Sequence, residues 1–172
     1  MLTQLFINNI AVIERVSLDI HRGFTVLTGE TGAGKSIIID AIHAVLGERT
    51  SKELIRFGAD TANVTALFTE VSKQTLQKAQ ELGVILEDDS LLISREIKSG
   101  GKSLCKVNGM PATVSMLKEI GTGLIGIHGQ HETYSLLSEQ VHLNYIDSFA
   151  NTGKLLREYQ ASFERLKELQ KT

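Results

Sequence analysis

Gly29-Glu30-Thr31-Gly32-Ala33-Gly34-Lys35-Ser36 satisfies the phosphate-binding pattern G-x-x-x-x-G-K-[ST] at every fixed position. Glycines let the backbone turn tightly, so that successive N–H groups converge on a phosphate. Lys35 sets a cation against the β- and γ-phosphates of a nucleotide, and Ser36 offers its hydroxyl to Mg²⁺. A helix opening at this loop adds its free N–H groups and the positive end of its dipole. The candidate nucleotide-binding residues therefore run from Gly29 through Ile37. A chance glycine-rich turn is the bland alternative, and the flanking segments argue against it.

Those segments must hold the loop in place. Phe24-Thr25-Val26-Leu27-Thr28 is a short β-prone run ending at the loop, and Ile37–Leu46 is apolar nearly all round, as a buried helix should be. Two further strands precede the loop: Leu2–Ile7, and Val16–Ile20, whose alternation puts Val16, Leu18 and Ile20 on one face. Gly47 closes the first helix. A polar connector leads through Arg56-Phe57-Gly58 to an alternating strand, Ala62–Val71. Ser72 caps a helix ending at Gly83. Leu91–Ile97 and Leu104–Val107 form a hairpin, and Asn108-Gly109 marks another turn. A helix over 113–120, an apolar strand Leu124–Ile127 and a helix carrying Val141, Tyr145, Ile146 and Phe149 complete the first 150 residues. Beyond them Leu156, Tyr159, Phe163 and Leu166 recur at heptad spacing among polar residues. The start of a coiled coil and an amphipathic helix lying on the domain both fit that spacing.

The bulk properties narrow the class. At 172 residues, 42% of them hydrophobic, the chain holds one domain with a real core. A net charge of −2 gives no global sign of nucleic-acid affinity. Cys105 is the only cysteine, which excludes an internal disulfide; packing suits it better than catalysis. The N-terminus has no secretory pattern and no apolar run approaches membrane-spanning length, so the expected setting is cytoplasmic, with no membrane partner.

A nucleoside triphosphatase also needs an acidic residue for Mg²⁺ and a group that orients water. Glu87-Asp88-Asp89 is the nearest acidic element, but it follows a helix stop and reads as a turn. Gln130 is the better candidate: it follows an apolar strand, and its amide oxygen can ligate Mg²⁺ and hold a water. His128, His131 and Glu132 lack a second ligand pair for zinc. Arg95, Lys98, Lys102 and Lys106 gather around the predicted hairpin, where they contact a DNA backbone or, more blandly, protect a solvated hairpin edge.

Taken together, several segments resemble the RecN DNA-repair ATPases, relatives of the structural maintenance of chromosomes (SMC) proteins. They are Leu5–Glu14, Gly29–Ala41, Ile55-Arg56-Phe57-Gly58-Ala59, Val107-Asn108-Gly109 and Ile127-His128-Gly129-Gln130-His131-Glu132. The resemblance implies an α/β P-loop NTPase fold: the N-terminal lobe of an ABC/SMC-type ATPase head with a mixed β-sheet, over 1–150, and the beginning of a coiled-coil helix over 151–172. It implies ATP and Mg²⁺ as cofactors. Lys35 and Gln130 become the catalytic residues, Ser36 and Gln130 the metal ligands, and Arg56 a residue that senses nucleotide or DNA.

By the same resemblance, the signature motif, acidic strand and switch histidine belong to a C-terminal half of the head. This chain is then expected to bind ATP but turn it over poorly. Its expected partners are that C-terminal half, a second copy in a homodimer, and DNA, in a nucleoid-associated setting where ATP-driven head engagement serves double-strand-break repair and recombination. The alternatives are a self-contained P-loop kinase for a small molecule, and a structural module of chromosome-organising, SMC type whose nucleotide site only regulates assembly.

Overall fold

A computed structural model describes residues 1–29, 34–127, 139–150 and 152–170. The chain divides into two compact units, Met1–Gly126 and Ile127–Thr172.

The first unit is built on strands β1 (Leu2–Ile10), β2 (Ile13–Asp19), β3 (Thr61–Phe68), β4 (Leu91–Lys98), β5 (Ser103–Val107) and β6 (Met110–Ala112). They form one sheet in the order β2-β1-β3-β4-β5-β6. Period-2 alternation gives each strand one apolar face, and the register stacks those faces into rows. Leu18, Leu5, Ala66, Ile93 and Val107 lie side by side across the sheet, as do Val16, Ile7, Val64, Arg95 and Cys105. Leu5, Ile7, Val64, Ala66, Phe68, Ile93 and Val107 are fully buried. Each large apolar side chain so buried contributes about 1.5–3 kcal/mol.

Three helices cover this unit: α1 (Lys35–Val45), α2 (Lys73–Glu81) and α3 (Val114–Gly121). Helix α1 lies on β1, β3 and β4, while α3 lies on β5 and against α2. Ala41 and Ala44 of α1, and Ala62 and Ala66 of β3, are all at 0% exposure. Small residues on both sides bring helix and sheet close together. Burial is confined to the C-terminal half of α1, at Ala41, Ile42, Ala44 and Val45, whereas Ile39 is exposed. The expectation of a helix buried all round is corrected to that extent: only its far half rests on the sheet.

Gly47 ends α1 at φ +88°. The Gly47 N–H reaches the Ala44 carbonyl at 3.2 Å and the Glu48 N–H reaches that of His43 at 3.1 Å, the two bonds of a Schellman termination. Ser72 and Thr113 cap α2 and α3, their hydroxyls accepting from the Thr75 and Met116 N–H groups at 3.3 and 3.2 Å.

Two expected strands are not formed among the described residues. Phe24–Thr28 carries no strand pairing, and Phe24 is 93% exposed. Leu124–Ile127 continues a turn after α3, with the Leu124 N–H on the Gly121 carbonyl. A strand exists only where a neighbour pairs with it, and β1, β3, β4 and β5 already have neighbours on both sides. Among the described residues the sheet is accordingly antiparallel at every pairing rather than mixed.

The second unit contains α4 (Glu139–Ala150) and α5 (Gly153–Leu169). The Thr152 hydroxyl donates to Asp147 Oδ1 at 2.8 Å at their junction. No side chain of α5 is buried; Leu156, Tyr159, Phe163 and Leu166 form an exposed seam. Tyr159 and Phe163 stack at 5.9 Å between centroids, and the Lys167 ammonium sits 4.7 Å from the Phe163 ring centroid.

Candidate nucleotide-binding site

Helix α1 begins as a phosphate site requires. Gly34 occupies its N-cap at φ +91°, in the left-handed region that favours glycine. No side chain caps this end, and its first turn carries no acidic residue. Among the described residues this end of α1 has neither a capping side chain nor an acidic residue in its first turn, in contrast to the hydroxyl-capped α2 and α3. Lys35 is half-buried and its ammonium donates to the Gly29 carbonyl. Ser36 is exposed in the first turn. This donor set suits a phosphate chain with an accompanying divalent cation. Glu30, Thr31, Gly32 and Ala33 lie outside the described residues, as do Gln130, His128, His131 and Glu132.

The start of β2 lies beside the N-cap of α1. A methyl group built on Gly34 would lie 3.9 Å from Ile13 Cδ1, so Ile13 packs next to Gly34. The connector after α1 is sewn to the β1–β2 turn. Ile55 bridges to Ile10, the Ala11 N–H reaches the Leu54 carbonyl at 2.9 Å, and the Arg56 N–H reaches that of Asn9 at 2.9 Å. The Arg56 guanidinium then donates to the Val12 carbonyl at 2.7 Å. Arg56 and Gly34 therefore meet adjacent residues, Val12 and Ile13, where the β1–β2 turn enters β2, although they are far apart in sequence. Ile37 lines an open groove of about 420 Å³ between α1 and residues 48–54, together with Asp40, His43 and Thr50. Across it His43 Nδ1 stands 2.9 Å from Glu48 Oε1, an ion-pair distance without hydrogen-bond alignment. A larger groove between α2 and α3, lined by Ser72, Thr75, Lys78 and Glu119, shares no residue with the phosphate loop.

Arg95 is not part of an exposed basic cluster. It faces inward in phase with Leu91, Ile93 and Ile97 and is 4% exposed, while Lys98, Lys102 and Lys106 point to solvent. Its guanidinium donates to the Ala44 and Glu48 carbonyls at 2.7 Å each, to Thr50 Oγ1 at 3.1 Å and to Ser103 Oγ at 3.4 Å. Burial pushes its pKa down, opposed by the neighbouring Cys105. Burial likewise pushes the Cys105 thiol up, opposed by Arg95. A buried cation costs several kcal/mol, and the partners here are carbonyls and hydroxyls. Bonds from a charged donor contribute about 1.5–3 kcal/mol each, and the negative end of the α1 dipole adds up to about 2. The balance is favourable only while all of these acceptors stay in place.

Among the described residues no cluster of histidine, cysteine and carboxylate side chains could hold a metal ion. Glu87-Asp88-Asp89 forms a bend in which Asp88 Oδ1 accepts from the Ser90 N–H at 2.9 Å, so it turns the chain into β4 rather than ending a strand. Among the described residues no helix is long and apolar enough to cross a membrane.

The family model for the RecF/RecN/SMC N-terminal domain matches residues 1–123. The chain belongs to that family. The DNA repair protein RecN of Bacillus subtilis is 42% identical over 174 residues, covering 99% of this chain and 30% of its own length. RecN of Vibrio cholerae is 34% identical over 168 residues, covering 98% of this chain and 30% of the relative. The chain thus spans about a third or less of the curated RecN proteins it matches. Among solved structures, an Smc head domain with an extended coiled coil from Pyrococcus furiosus, bound to the C-terminal domain of ScpA, superposes with a TM-score of 0.69. It is 24% identical and covers 99% of this chain and 46% of that one, which shows the fold. The expected RecN-like, SMC-type head lobe is the fold observed.

Proposed function

We propose that this chain is the ATP-binding lobe of an SMC-like ATPase acting in DNA double-strand-break repair and recombination. The observation that carries the reading is the start of α1: an uncapped helix N-terminus behind a glycine at positive φ, with Lys35 and Ser36 in its first turn. RecN relatives named for DNA repair support the biological setting and do not favour a small-molecule kinase or a purely structural module. Gly29–Ile37 bind the nucleotide in this proposal. Lys35 holds the β- and γ-phosphates, Ser36 ligates Mg²⁺, and Arg56 reports on nucleotide or DNA. Gln130 keeps the role of metal ligand and water-orienting residue that the family resemblance gives it. Residues 1–150 form the lobe and 151–172 begin a coiled coil. A C-terminal half of the head, a second copy and DNA are the partners.

Titration calorimetry with Mg-ATP tests this. Lys35→Ala removes a charge-assisted phosphate contact worth about 1.5–3 kcal/mol, so its Kd should rise roughly 10- to 150-fold. Equal affinity in the variant and the parent chain would rule the site out.

A further inference from the structure

We propose that Arg95 is a positioning residue for the nucleotide site, setting the angle of α1 and the path of the connector that carries Arg56. This rests on the ATP-binding reading above. The geometry points to it in three ways. First, Arg95 occupies the middle of the apolar face of β4, between Ile93 and Ile97, where an aliphatic side chain would satisfy the core. Second, three of its four bonds, and the shortest of them, converge on one place, the C-terminal end of α1 and the connector beyond it: Ala44 in the last turn, Glu48 after the terminating glycine, and Thr50 further on; the fourth and longest goes to Ser103 on β5. Third, the connector so held runs through Ser51–Ile55 to the bonds that fix Arg56 on the β1–β2 turn.

The effect at the phosphate end is one of leverage. An 11-residue helix is about 16 Å long. A pivot of about 4° at the anchored end moves the phosphate end by about 1 Å, and a hydrogen bond lengthened by that much is lost. The buried residues of α1 all lie in its C-terminal half, so most of the packing that resists such a pivot lies at the Arg95 end. A lysine keeps the charge but not the planar fork that reaches these acceptors together.

The test compares ATP affinity with stability in Arg95→Met, Arg95→Lys and, as a control on the same sheet face, Ile93→Ala. Calorimetry with Mg-ATP should show Kd raised about tenfold or more in both Arg95 variants. Ile93→Ala should stay within about twofold of the parent while lowering Tm at least as far. Hydrogen exchange should quicken at the amides of Ile38–Ala41 in Arg95→Lys and stay unchanged in β1 and β3. If Arg95→Met does not fold, Arg95→Lys decides. Affinity within about twofold of the parent in the folded Arg95 variants, or a loss no larger than that of Ile93→Ala, overturns the inference. In that case the parent chain still binds ATP and still depends on Lys35. A parent chain that binds no ATP overturns the site reading, and this inference with it.

Discussion

Gly47 concentrates two demands in one residue. Its φ of +88° lies in the left-handed region, and a Cβ there would stand 2.4 Å from the Lys118 nitrogen and 2.7 Å from the Val114 carbonyl oxygen. Both obstacles are backbone of α3, which cannot swing aside as a side chain could. Strain and overpacking together predict that Gly47→Ala loses about 2–5 kcal/mol, read as a lowered midpoint in urea unfolding. The sequence showed Gly47 as a helix stop but gave no sign of α3 behind it, because that contact is tertiary. Arg95 was legible in principle: its phase with Leu91, Ile93 and Ile97 places it inward. Its proximity to three lysines in sequence suggested the opposite. Two of its four acceptors, and the two nearest, are backbone carbonyls, which no residue pattern announces. The same holds for the Val12 carbonyl that receives Arg56.

The helices of the first unit divide by how their first turns are satisfied. Ser72 and Thr113 close α2 and α3 internally, whereas Gly34 leaves α1 open. Ser72→Ala should therefore cost about 1 kcal/mol in urea unfolding and leave Mg-ATP affinity unchanged. A shifted ATP Kd in that variant would contradict the separation. Ser72 was readable as a cap because a polar residue preceded a helical stripe. The paired strands were readable from alternation. Phe24–Thr28 and Leu124–Ile127 show the limit of such reading: β-propensity reports a fit to a neighbouring strand, and neither segment has one among the described residues. Residues 128–138, which hold Gln130, lie outside the described residues, so that part of the candidate site rests on the sequence.

Across the whole first unit, the phosphate loop, α1 and the Arg56 connector all lie between β2 and β3, while β3 returns to lie beside β1. Every later pairing, β3 with β4, β4 with β5 and β5 with β6, joins strands consecutive in the chain. This order sets the folding kinetics. Neighbouring hairpins close in microseconds, but Ile7 and Val64 meet only after the entire excursion from β2 to β3 has been looped out. The slow step should be the docking of β3 onto β1, since distant pairings are formed at the greatest entropic cost. Stopped-flow refolding of Val64→Ala should be slowed in proportion to its loss of stability, giving a φ-value above about 0.5, whereas Val107→Ala should chiefly speed unfolding. The stretch proposed to grip the nucleotide would then be the last loop closed, and the rate at which the chain becomes competent to bind would be the rate at which two distant strands find each other.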